Sequence, residues 1–225
     1  MEESAIILFT RIPLPGKTKT RLQPFLTAEE CCLLQSAFIR DIYEVLRGTK
    51  TACDIFVCYT PKGNLADLRA LLPEARIFFP QQGKTLGERM SNAIRHVFDK
   101  GYNRCILTGS DLPLLHSCAV DDAFNLLEKH DIVLCPTEDG GYYLIGMKQL
   151  CEEVFRLEEY GVSSVFEKTL AAAAKCGRTC AVGHNTMDID EKEDLVKLQK
   201  MLAADSNLEC KETRIVLKEI FLKRG

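Results

Sequence analysis

Four stretches of this 225-residue chain concentrate the residue types that handle phosphate and metal. The first is RIPLPGKTKTRL, where Arg11, Lys17, Lys19 and Arg21 place four cations in eleven residues otherwise rich in Pro and Gly. A cationic turn stiffened by proline presents positive charge and free backbone N–H groups to an anion, so phosphate is the expected ligand, with Thr10 and Gly16 beside it. Gly16-Lys17-Thr18 invites comparison with a P-loop. The earlier glycine of GxxxxGK[ST] would fall at position 11, which is arginine, so a P-loop is excluded.

The second stretch is Thr108-Gly109-Ser110-Asp111, with Pro113 two residues beyond the acid. A carboxylate just past the end of a buried strand can hold a cation on a phosphorylated substrate, with Gly109 and Ser110 against the nucleotide. Asp is also a preferred helix cap, and at this point both roles stay open. The third is Glu138-Asp139-Gly140-Gly141, two acids before two glycines that allow close backbone approach. It reads as a hairpin turn and, compatibly, as an acceptor-binding loop in which Glu138 or Asp139 orients or deprotonates the acceptor.

The fourth is Asp188-Ile189-Asp190, before a helix. Alternate residues of an extended segment share a side, so Asp188 and Asp190 are both candidate metal ligands. One of them is expected to cap the helix, leaving the other to the cation. A weaker signal is the loop entering a helix at Gln82, Gly83 and Arg89, which is either a nucleotide contact or a well-capped helix start.

These stretches need elements to hold them. Short apolar runs at 5–9, 55–59, 76–79, 105–107, 132–135, 142–146 and 179–182 read as strands. Helical spacing marks 28–46, 65–72, 86–98, 119–129, 165–174 and 195–202, and Thr27 with Glu30 supplies a capping box for the first. Residues 208–225 are expected to form a docked helix. Strands separated by helices of this length spell an α/β domain with a mainly parallel sheet, here a single domain over 1–225 with its core at about 5–204.

Composition sets the outer bounds. The chain is 46% hydrophobic and 27% charged, ordinary for a globular domain, and its formal net charge of −3 argues against a nucleic-acid partner. No apolar run is long enough to span a bilayer, and the acidic N-terminus is unlike a secretory signal, so a cytoplasmic location is the default expectation. The 11 cysteines are scattered without zinc-finger spacing and read as reduced, mostly buried small hydrophobes. Cys31 with Cys32, or Cys176 with Cys180 at one-turn spacing, are minor candidates for a soft metal. The four histidines show no metal spacing, and no GxSxG elbow supports a hydrolase triad.

Taken in order, PGKTKTRL, LGERM, GSDLP, EDGGYYLIG, GVSSVFEKTL and DIDEKEDL resemble the DUF2064 family of nucleotide-diphospho-sugar transferase-like proteins. That family is related to the molybdopterin-guanylyl and 2-phospholactate guanylyl transferases. The resemblance runs from about residue 5 to about residue 200 and implies a Rossmann-like three-layer α/β/α fold of the glycosyltransferase-A type. It further implies that Gly16, Lys19 and Arg21 lie at the nucleotide phosphates, that Asp111 binds a divalent metal, Mg²⁺ or Mn²⁺, and that the DIDEKEDL segment brings a second acid to it. Lys19, Arg21 and Asp139 are then the expected catalytic set.

The expected activity is metal-dependent transfer of a sugar from a nucleotide-diphospho-sugar to a small-molecule acceptor. Nucleotidyl transfer from an NTP to a phosphorylated small molecule is the alternative, followed by non-catalytic nucleotide binding. Two departures from the family pattern bear on that choice. Asp-Leu-Pro stands in place of the two-acid D-x-D of sugar transferases, and Tyr160 stands where relatives often place Trp.

Overall fold

The computed structural model describes residues 3–205, 208 and 210–222. Seven strands form one sheet: β1 (Ser4–Arg11), β2 (Cys53–Thr60), β3 (Ile77–Pro80), β4 (Arg104–Thr108), β5 (Ile132–Pro136), β6 (Tyr142–Met147) and β7 (Cys180–Val182). Their order across the sheet is β3-β2-β1-β4-β6-β5-β7. Every pairing is parallel except those of β6, which runs antiparallel between β4 and β5.

Alternation along the strands decides which layer each side chain joins. In β1, Ile6 and Leu8 face one core while Ala5 and Ile7 face the other. The first core lies under α1 (Ala28–Arg47), α2 (Leu65–Leu71), α4 (Ser117–Lys129), α6 (Lys192–Ala204) and α7 (Lys211–Leu222). The second lies under α3 (Leu86–Phe98), α5 (Val165–Lys175) and a 3₁₀ turn at Glu152–Phe155. This is the three-layer α/β/α arrangement expected, with a mainly parallel sheet buried on both faces. No helix is long and apolar enough to cross a membrane among the described residues.

The expected capping box of α1 is present: Thr27 Oγ1 accepts from the Glu30 amide at 3.1 Å and Glu30 Oε2 accepts from the Thr27 amide at 2.9 Å. The docked C-terminal helix is α7, which packs on α1; residues 209 and 223–225 of the expected span lie outside the described residues. Asp41 of α1 holds its start, accepting from the amides of Glu212 and Thr213 at 2.9 and 2.8 Å.

Two expectations are corrected. Neither Asp188 nor Asp190 caps α6: Glu191 is the N-cap, and Asp194 accepts from the amides of Asp190 and Glu191 at 3.2 and 2.9 Å. A nearer acid outcompetes them for the free N–H groups of the first turn, so both aspartates face elsewhere. Nor do Cys176 and Cys180 share a helical turn, because α5 ends at Lys175 and β7 starts at Cys180. The Gly177 backbone between them takes φ +67°, which breaks the helical repeat.

Candidate functional site

Because six strands are parallel, the loops after β1, β2, β3, β4, β5 and β7 leave from one edge of the sheet. The chain winds outward from β1 toward β2 and β3 on one side and toward β4 on the other, which opens a crevice at this edge. A cavity of about 530 Å³ occupies it. Arg11 at the end of β1 and Lys17, Lys19 and Arg21 from the loop after it line the cavity, with Arg89 of α3. Asp111 after β4, Asp139 and Gly141 after β5, and Asp188 and Asp190 after β7 line it as well. Thr10, Gly109 and Ser110 form its floor.

Lys19 is the hub. Its side chain is only 3% exposed, and its ammonium donates to the Ile189 carbonyl at 2.5 Å and to Asp190 Oδ1 at 3.0 Å while pairing with Asp111. Burial alone would push the ammonium's pKa down; the charges of Asp111 and Asp190 outweigh it and hold the pKa above the ordinary lysine value. To reach both acids the backbone at Lys19 adopts φ 47°, ψ 47°, a left-handed conformation that a lysine rarely takes. Leu22, fully buried in the 3₁₀ turn Thr20–Leu22, anchors the loop behind it.

Asp111 therefore serves as an ion-pair partner at the cavity wall and not as a helix cap; the N-cap of α4 is His116. Arg21 stays exposed, 4.0 Å from Asp190 and 3.8 Å from Glu191, free to swing onto a ligand. Asp188 has its pKa pushed up to about 6 by burial and by the charges of Asp139 and Asp190, against the pull of Lys19. It sits in a field of excess negative charge that a bound cation would relieve.

The donor set fits a hard divalent cation, since all three acids offer carboxylate oxygen. These oxygens do not converge into a closed cage; among the described residues the three-donor group that does converge lies elsewhere. An open arrangement is what Mg²⁺ commonly uses, with one or two carboxylates and the rest of its shell from substrate phosphates and water.

A polar network beneath the floor sets these positions. Gln81 Nε2 donates to the Thr10 carbonyl at 3.0 Å, Thr10 Oγ1 donates to Ser110 Oγ at 2.9 Å, and Gln35 Nε2 donates to the Ser110 carbonyl at 3.0 Å. Gln35 and Gln81 both line the cavity and escaped the reading of the sequence. The signal for Gln35 was a polar side chain inside the apolar stripe Leu34-Phe38-Ile42 of α1. Tyr142 of β6 completes the wall together with Tyr160, Gly161 and Val162, from a loop before α5 whose place in the fold only the structure shows.

Several expected site residues lie outside the cavity lining. Gly16 makes the turn that carries the cationic loop, at φ +75°. Gly83 accepts from Arg89 Nε at 3.0 Å and Gln82 accepts from Asn92 Nδ2 at 2.9 Å, so both shape the entry to α3. Glu138 pairs with Lys197 at 3.7 Å. Gly140 packs against Ser163, and its carbonyl accepts from the Phe166 amide at 3.0 Å. Asp139 Oδ1 closes its own turn, accepting from the Thr137 hydroxyl at 2.5 Å and the Gly141 amide at 2.9 Å. A larger groove of about 790 Å³ opens at the opposite sheet edge, lined by Arg95, Lys148 and Arg178, and contains none of the expected site residues.

Comparison with known proteins follows the same division of the chain. The family model DUF2064, described as an uncharacterised protein conserved in bacteria, matches residues 45–162. A crystal structure of a candidate nucleotide-diphospho-sugar transferase from Desulfovibrio desulfuricans G20 superposes with a TM-score of 0.90 at 32% identity, covering 97% of this chain and 95% of that one. The 2-phospho-L-lactate guanylyltransferase of Methanocaldococcus jannaschii is 26% identical over 181 residues, 79% of this chain and 75% of its own. The 3-phospho-D-glycerate guanylyltransferase of Phenylobacterium zucineum is 27% identical over 187 residues, 81% of this chain and 84% of its own.

Proposed function

Since this chain belongs to the DUF2064 family, we propose that it is a divalent-metal-dependent transferase that moves a nucleotidyl group from an NTP to a phosphorylated small-molecule acceptor. That it is a transferase agrees with the names of its relatives. One observation carries the choice of nucleotidyl transfer: Arg11, Lys17, Lys19, Arg21 and Arg89 line a single cavity. A triphosphate and an acceptor phosphate together bring far more negative charge than the diphosphate of a nucleotide-sugar. Five cations suit that load once a bound divalent metal offsets the lining acids Asp111, Asp139, Asp188 and Asp190. The lone Asp111 followed by Leu-Pro, in place of two acids, points the same way.

In this reading an acceptor phosphate oxygen attacks the α-phosphorus of the NTP, a new P–O bond forms, and the bond to the leaving pyrophosphate breaks. Lys19 and Arg21 neutralise charge at the phosphates, and positioned electrostatics of this kind is most of what a protein supplies in phosphoryl transfer. Thr10, Gly109 and Ser110 form a rigid floor under the nucleotide. Asp139 and Gly141 make the wall on which the acceptor rests. Asp111, Asp188 and Asp190 would hold Mg²⁺ or Mn²⁺, which when bound neutralises the phosphate oxygens.

Sugar transfer is the second reading, favoured by the name of the 32% identical relative. The two separate by product. Incubation with each NTP and Mg²⁺ plus phosphorylated hydroxy acids should release pyrophosphate, whereas sugar transfer releases a nucleoside diphosphate from a nucleotide-sugar. Nucleoside diphosphate release without any pyrophosphate would overturn the proposal. Calorimetry on Asp111→Asn should show nucleotide affinity that no longer responds to Mg²⁺; an unchanged response removes Asp111 from the metal site.

A further inference from the structure

Cys151, Glu153 and Cys176 are the one group of three potential metal donors, among the described residues, whose ligand atoms all lie within 4.8 Å of one another. None of the three lines the nucleotide cavity. They come from two separate elements: Cys151 and Glu153 flank the start of the 3₁₀ turn Glu152–Phe155, and Cys176 is the C-cap just past the last residue of α5. Cys151 Sγ donates to Glu153 Oε2 at 3.6 Å. The neighbouring acid, Glu152, is already held by Arg95 and by Arg156, so Glu153 is the carboxylate left at the thiols.

We propose that Cys151, Glu153 and Cys176 bind one Zn²⁺ ion, with water in the fourth tetrahedral position. Two thiolates and one carboxylate are ligands that zinc accepts, at bond lengths that a donor cluster of this spacing reaches by small rotamer shifts. Binding displaces the two thiol protons to solvent. Cys151 is 3% exposed, whereas Glu153 and Cys176 are exposed, so the site has a sheltered floor and an open entry. Burial pushes the free Cys151 thiol up to about 11, so at neutral pH the thiol stays protonated until a metal takes the sulfur.

The site joins two elements that border the second core, the end of α5 and the turn Glu152–Phe155. The Phe155 carbonyl accepts from the Tyr160 hydroxyl at 3.1 Å, and Tyr160 is part of the cavity wall. A zinc ion here would brace that wall from behind without touching substrate. Its role is structural, independent of which group the transferase moves.

The test uses the full chain, reduced with a phosphine and stripped of metal, and titrated with Co²⁺ as an optical probe. The expected result is one tightly bound equivalent with thiolate-to-cobalt charge-transfer absorption, removed by Zn²⁺, and a melting temperature raised by Zn²⁺ alone. Cys176→Ser, at an exposed helix end, should fold, lose the absorption and lose the Zn²⁺-dependent rise, while Cys118→Ser at another exposed site keeps both. Glu153→Gln should weaken binding on the order of tenfold or more. Cobalt binding without charge transfer, or equal binding by Cys176→Ser, overturns the proposal. So does ready formation of a Cys151–Cys176 disulfide by oxidised glutathione that Zn²⁺ fails to slow.

Discussion

Lys19 Nζ stands 3.0 Å from Asp190 Oδ1, across 171 residues of chain, with Asp111 on the same ammonium. One cation from the first loop thus ties together the acids that follow β4 and β7. This makes Lys19 a strut between the two acids, and in the proposed function it is also the charge that meets the phosphates.

Replacing Lys19 with methionine keeps an unbranched side chain only one atom shorter and removes its charge. Turnover should fall about 10²–10³-fold, the usual cost of losing one positioned charge in a closed site. Because Asp111 and Asp190 are each nearly half exposed, water takes over part of their solvation, and the stability loss should stay near 1–2 kcal/mol. Steady-state kinetics and a urea titration measure the two. A turnover within twofold of the parent would remove Lys19 from the chemistry.

Gly140, outside the cavity lining, packs the turn after β5 against the segment that carries Ser163. Its φ is +88°, and a Cβ there would stand 2.1 Å from the Ser163 carbonyl oxygen. Gly140→Ala should therefore cost about 2–5 kcal/mol, from backbone strain plus forced separation of two backbone segments. Gly177 also has positive φ but open space around it, so Gly177→Ala should cost only about 1–2 kcal/mol. Denaturant unfolding of both variants tests the difference; equal costs would mean that the contact at Ser163 yields freely.

Asp41 gives stability a pH dependence through the docking of α7. Its pKa is raised, chiefly by burial, against the amides of Thr213 and Glu212 that favour the charged form. The folded state thus holds this proton more tightly than the unfolded chain, whose Asp titrates near 3.9. Asp41's contribution is full below that value and is lost as pH rises through the folded pKa. Asp41→Asn stays neutral throughout. The melting-temperature advantage of the parent over Asp41→Asn should accordingly shrink as pH rises from below 4 toward neutrality. A widening gap would reverse the assigned sign.

Local features were legible in the sequence because they depend on neighbours in the chain. Apolar runs such as residues 5–9 and 105–107 became buried strands, helical spacing with Thr27 and Glu30 became α1, and acids and cations placed after strands came to one sheet edge. The parallel strands explain that last success: every loop that follows one leaves on the same side.

What depends on long-range placement was decided by the tertiary structure. The insertion of β6 antiparallel between β4 and β5 follows from sheet order, which no local period encodes. The competition of Glu191 and Asp194 for the α6 start freed both Asp188 and Asp190. The burial of Lys19 between acids nearly a hundred and more than a hundred residues away, the Gln35 and Gln81 supports under the floor, and the meeting of Cys151 with Cys176 all arise where separate crossovers bring distant segments together. Residue types named the chemistry available to this chain; three-dimensional packing chose which of those groups meet, and which are held in a charge state fit to use it.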